Sequence, residues 1–157
     1  MALQAMSVHG NAVRALDRTI DESARREPAG STFFSGSEFG CAFSAAIPTP
    51  VQIDGNRPRL SAVFIGYRTS GGVLLGNVAV SNASFSTTVF SQNVFPHLLA
   101  SAPAFDRVTQ TGKGENWWPV PDAPKVLWGL EIRFEVGFQR GDLPFQIAAV
   151  GAEFEPP

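Results

Sequence analysis

Two indoles stand side by side at Trp117 and Trp118, with Glu115 and Asn116 just before them. Exposed indoles stack on sugar rings and make flat anchors at interfaces. The same pair, set in a proline-rich connection, can also fold back and cap one end of a sheet, because large aromatic side chains are mostly buried. His9 and Asn11 flank Gly10 and form a second candidate. Both can hydrogen-bond a ligand, or each other across a turn of the kind that Gly and Asn favour. Trp117, Trp118, Glu115, Asn116, His9 and Asn11 are therefore the candidate ligand-binding residues.

Catalysis has no comparable foothold, and no catalytic residue is assigned. Glu131 and Glu135 flank Arg133. Four strand residues would hold the two carboxylates about 13 Å apart, too far for paired acid–base work. A solvated or cross-strand-paired face explains these charges, or a register with a neighbouring subunit. The two histidines, His9 and His97, have no adjacent acidic or thiol partners and no His-Glu-x-x-His spacing, so no metal site is expected. No Gly-x-Ser-x-Gly elbow is present. Arg140-Gly141-Asp142 fits a hairpin turn better than an adhesion motif. Asn82-Ala83-Ser84 is a glycosylation sequon without a secretory leader. Gly112-Lys113-Gly114 lacks the rest of a phosphate loop. Cys41 alternates with core residues and behaves as a small buried hydrophobe. No cofactor is expected.

The elements that must position these residues are strands. From Val126 to Gln139 every even position is apolar: Val126, Trp128, Leu130, Ile132, Phe134, Val136 and Phe138. A period of two buries one face of a β-strand, with a bend at Gly129 or Gly137. Phe39, Cys41, Phe43, Ala45 and Ile47 alternate with small residues in a second strand that stops at Pro48 and Pro50. Residues 60–67 are apolar on nearly both faces, as in mid-sheet. Residues 73–80 and 83–90 look like two strands joined tightly around Ser81-Asn82. Residues 94–100 form a short helix or an irregular crossing. Arg140-Gly141-Asp142 closes a hairpin from which residues 145–154 return, with a bulge near Ala148-Ala149. Residues 2–8 suit an edge strand, and Asp54-Gly55-Asn56 a turn.

Two segments stand apart. Residues 14–30 are a charged excursion, helix or loop, whose eight charges cancel in sign. Asp21 to Arg25 and Glu22 to Arg26 are spaced for ion pairs on a helix, with Leu16, Ile20 and Ala24 on one face. Residues 101–125 are a long Pro/Gly loop, where loop-borne function is expected. The whole chain, 1–157, is expected to be one all-β domain. The architecture is an antiparallel β-sandwich of jelly-roll type with at most one or two short helices. A closed barrel is the alternative.

Composition narrows the partners. Charged residues are only 17% of the chain, and the aromatics are thirteen phenylalanines against three tryptophans and one tyrosine. A surface so poor in charge favours self-association, hence a homo-oligomer. The net charge of −2 gives no electrostatic footprint for nucleic acid. No apolar run reaches the length of a membrane span. Without a leader the default location is the cytoplasm, with leaderless export still open. One cysteine excludes an intramolecular disulfide.

Val8-His9-Gly10-Asn11, Ile47-Pro48-Thr49-Pro50-Val51, Trp128-Gly129-Leu130 and Gly151-Ala152-Glu153-Phe154 together resemble a family of small bacterial domains of unknown function. Residues 14–27 and 101–125 depart from it. The resemblance implies a single β-rich domain and no activity. Three functions follow as expectations. The first is a lectin-like binding module for a glycan or a small apolar ligand, the second a self-assembling structural protein, and the third a small β-barrel enzyme with an apolar cavity.

Overall fold

The computed structural model describes residues 4–35, 41–50, 52, 55–69, 73–82, 87–93, 117–126, 129–138 and 145–156. They form two antiparallel sheets packed face to face, an all-β sandwich.

The organising strand is β10, Leu130–Phe138. Its burial alternates as the period of two demands, and its even residues all face inward. On one side it pairs with β5 (Cys41–Ile47), on the other with β7 (Val73–Asn82). The short β2 (Arg14–Ala15) and β8 (Thr87–Asn93) complete this sheet in the order β2-β5-β10-β7-β8. The irregularity in β10 falls between Phe134 and Val136, where Gly76 and Asn77 of β7 oppose Glu135 alone. The irregularity is a bulge in the neighbouring strand, two residues against one.

The second sheet is built on β11, Phe145–Glu155. One edge of β11 pairs with β6 (Arg59–Thr69). Its other edge is shared by β4 (Thr32–Phe34) and β1 (Gln4–His9), which lie end to end along it. The short β3 (Arg25–Arg26) extends β4, and β9 (Trp117–Pro119) closes the far side against β6. The expected slip in β11 is present, with a register shift between Ile147 and Ala149.

The sheets meet through apolar side chains. Phe43 stacks on Phe134 at 5.4 Å and meets Phe34 of the opposite sheet edge-on at 4.8 Å. Tyr67 and Phe145 add a further ring contact at 5.5 Å. Such contacts contribute beyond the apolar area that they bury.

Three expectations are corrected. First, β10 and β11 do not form a hairpin, because each already has strand partners on both edges within its own sheet. From β4 onward most successive strands change sheet, in the jelly-roll manner, and the sheets do not close into a barrel. Second, Ser81 and Asn82 are strand residues, opposite Thr88 and Thr87 of β8. Third, the charged excursion contains only one turn and a half of helix, α1 (Arg18–Ser23), capped by the Asp17 side chain accepting from the Ile20 amide at 3.1 Å. Because α1 ends at Ser23, Arg25 and Arg26 lie on a strand and the expected ion pairs do not form. Asp21 instead pairs with Arg26 at 3.0 Å and Arg14 at 3.6 Å, and accepts from the Ala15 amide. Ile20 is buried, whereas Leu16 is 54% exposed.

Candidate functional site

Adjacent residues of a strand point to opposite faces, and this rule divides the tryptophan pair. Trp118 faces inward with Val63 and joins the core at 5% exposure. Trp117 therefore faces outward, half-buried, opposite Phe64. Trp118 is a core residue, and Trp117 is the one of the two that stays partly exposed. Glu115, Asn116, His97 and Trp128 lie outside the described residues.

The outer face that carries Trp117 has a regular grid. Ser7, Gly151, Phe64 and Trp117 form one row across β1, β11, β6 and β9. The next row is Ala5, Glu153, Ala62 and Pro119. On the far side of Ser7 stand His9 and Ala149. The centre of this face is closed to solvent. Phe64, Ala62 and Gly151 are buried, and Glu153, at 7% exposure, is the one buried acidic or basic side chain among the described residues. The two margins are open: Ala5, Ser7 and His9 are exposed along β1, and Pro119 along β9.

The β9 margin has a further feature. After Pro119 the chain leaves β6 and returns to it. The Val120 amide donates to the Ser61 carbonyl at 2.8 Å, the Leu60 amide to Pro124 at 3.0 Å, and the Val126 amide to Pro58 at 3.0 Å. Between these anchors Asp122 and Ala123 both hold positive φ, 61° and 34°. Asp tolerates that region, but Ala has no side-chain compensation for it. Strain of this kind persists where surrounding structure over-determines it, and it clusters at ligand clamps. On re-entry Lys125 bridges Arg59. Val126 and Leu60 belong to the core, so Lys125 and Arg59 share the outer face with Trp117.

His9 and Asn11 serve the turn that precedes β4. Gly30 there has φ +96°, and a β-carbon on it would stand 2.9 Å from Nδ1 of His9. The Asn11 amide nitrogen of the side chain donates to the Glu27 carbonyl at 3.0 Å, and its oxygen accepts from the Thr32 hydroxyl at 2.8 Å. The Asn11 backbone amide donates to the Gly30 carbonyl at 2.9 Å. Both polar groups of the Asn11 side chain are thus engaged in holding the turn. Gly10 between them is required, since a side chain there would collide with the Ile147 carbonyl oxygen. His9 and Trp117 share a face but stand on strands about 14 Å apart, three strand spacings. The structure brings His9 and Asn11 together, and does not join them to Trp117.

The opposite outer face is that of the β10 sheet. Glu131 accepts from Arg133 Nε at 3.0 Å within the strand, and Glu135 is exposed. Cys41 is half-buried and donates to the Ala42 carbonyl at 3.2 Å. Burial pushes its thiol above the ordinary range, which makes it a poor nucleophile. Among the described residues no three His, Cys, Asp or Glu side chains converge as metal ligands, and no helix is long and apolar enough to cross a membrane.

No protein-family model, curated protein or solved structure matches this chain. The β9 margin therefore has to be interpreted from its own chemistry. Sequence reasoning singled out Trp117 but not Phe64, Glu153, Arg59 and Lys125, which share its face. Phe64 and Glu153 sit on strands whose mid-sheet position hid which face was outermost. Lys125 is placed by a loop that leaves the sheet and rejoins it.

Proposed function

We propose that this protein is a lectin-like, non-catalytic β-sandwich binding module that holds a saccharide along the β9 margin of the β11 sheet and works as an oligomer. The observation that carries this proposal is the position of Trp117. Its indole is half-buried, on the outer face, opposite Phe64 and beside an exposed proline. An indole fixed by strand pairing is a preorganised stacking surface, which reduces the ordering cost of binding. The strained Asp122–Ala123 turn at the same margin supports the same assignment.

A glycan array probed with the intact chain and with Trp117→Ala tests it. Binding of a saccharide class by the intact chain, lost in Trp117→Ala while the thermal midpoint moves little, is the expected result. Silence across the array, or binding that survives the substitution, overturns it.

Self-assembly is favoured by one specific feature. Strand β1, Gln4-Ala5-Met6-Ser7-Val8-His9, has no Lys, Arg, Asp, Glu, Pro or Gly and pairs with β11 alone among the described strands. Edge strands without such guards pair readily with another chain. Light scattering at micromolar concentration, compared with Ser7→Lys, tests this contact. A dimer or larger species that the lysine dissociates supports it, and a monomer sinks it.

A further inference from the structure

We infer that the saccharide site is built for an acidic sugar, whose carboxylate is received by Arg59 and Lys125. The inference rests on the saccharide reading above and adds the ligand's charge to it.

Arg59 and Lys125 oppose each other across β6 and the returning strand segment, on the face that carries Trp117. Among the described residues neither makes an ion pair. The Arg59 Nε is buried without a hydrogen-bond acceptor. A guanidinium nitrogen withdrawn from water normally finds an acceptor, since leaving it unsatisfied is costly. Glu155, in register with Arg59 on its other side, makes no ion pair with it among the described residues. Lys125 is exposed.

The spacing suits one extended ligand. On β11, Gly151 lies in the Trp117 row and Glu155 in the Arg59 row. Four strand residues separate these rows, about 13 Å along the sheet. A short oligosaccharide stacked on Trp117 and passing Pro119 would bring a uronate carboxylate to the two cations. Arginine binds carboxylates through paired N–H donors, and lysine adds a second charge. Glu155, partly buried, stands in register with Arg59, and Asp122 is exposed in the turn before Lys125.

The test uses oligosaccharides of galacturonate, glucuronate and mannuronate beside their methyl esters, which keep the sugar and remove the charge. Titration calorimetry with the full chain is expected to show the free acids binding about tenfold more tightly than the esters. Lys125→Gln, at an exposed site, should abolish that difference, and Arg59→Gln should do the same. Esters binding as tightly as acids overturns the carboxylate site while leaving the saccharide site standing. An acid preference that survives Lys125→Gln and Arg59→Gln also overturns it. Binding of neither form overturns the carboxylate site, and the glycan array alone then decides the saccharide site.

Discussion

The Phe64 ring fills the space above Gly151 where a side chain would otherwise stand. A β-carbon on Gly151 would collide with Phe64 Cζ and lie 2.6 Å from the Met6 carbonyl oxygen. The ring is thereby held over β11 and beside Trp117. Gly151→Ala is expected to lower stability by about 1–3 kcal/mol, the range for forcing atoms into packed space. Urea denaturation measures it. Phe64→Ala in the same chain should recover only part of that loss, because the Met6 carbonyl remains in the way. Strictly additive losses would show that Phe64 and Gly151 are not coupled.

The turn beyond Pro119 carries its strain in the wrong residue type. Ala123 has φ 34°. The left-handed region costs a non-glycine residue about 1–2 kcal/mol, and glycine gives back about 0.4–1 kcal/mol through the unfolded chain. Ala123→Gly should therefore raise stability by up to about 1 kcal/mol. It should also loosen the loop that places Lys125. A higher urea midpoint together with faster amide exchange around residues 120–125 is the expected pair of results. A lower midpoint would show that the backbone there is unstrained.

The long strand was legible in advance because its even residues all meet one core, and burial on one face writes a period of two into the chain. The bulge at Ala148 was legible for the same reason, since the parity of apolar residues reverses there. Pairing partners were not legible. Nothing local in Arg140-Gly141-Asp142 distinguishes a hairpin from a crossing between sheets, and the choice is made by which edges β5, β7 and β6 have already occupied. In the charged excursion, helical spacing suggested ion pairs, but the competing strand pairing of Arg25 and Arg26 with β4 ended α1 first. At the site, period-two logic applied to Trp117-Trp118 would have separated the pair, had residue 117 been recognised as a strand residue rather than part of a loop.

Asn11 fastens the turn before β4 through both polar groups of its side chain. Thr32 beneath it is fully buried. Asn11→Ala removes the acceptor of a buried hydroxyl as well as a donor to Glu27, and should cost about 1–3 kcal/mol. Limited proteolysis should show earlier cleavage within residues 27–31. Asn11→Asp keeps the acceptor for Thr32 and loses the donor, so its deficit should be smaller. Equal losses in the two variants would mean that the Thr32 contact contributes nothing.

Burial holds the Cys41 thiol protonated to a higher pH than in the unfolded chain. Its linked stabilisation is present in full below the unfolded thiol's range, about pH 8.5, and declines as pH rises through the raised native value. The stability difference between the intact chain and Cys41→Ala should therefore shrink above about pH 9. Iodoacetamide at pH 8 should label the native thiol much more slowly than the urea-unfolded one. A native thiol that reacts as fast as the unfolded one would contradict the half-buried position beside Ala42.

Trp117 and Trp118 differ in one geometrical respect, the side of β9 from which they project, and that difference sets the sharpest contrast in the molecule. Trp118 lies in the core with Val120 and Val126. Its truncation to alanine leaves a cavity and should cost about 3–5 kcal/mol. Trp117 is only half-buried, so its truncation removes less apolar contact and should cost no more than about 1.5 kcal/mol. Binding should order the two in reverse. Trp117→Ala removes the stacking surface, while Trp118→Phe, which keeps the core largely filled, should still bind. Fluorescence separates the same pair: adding a bound saccharide should shift the emission of Trp118→Phe, which retains Trp117, and leave that of Trp117→Phe unmoved. If instead the ligand-induced shift follows Trp118, β9 presents its other face to the ligand, and the saccharide site moves with it.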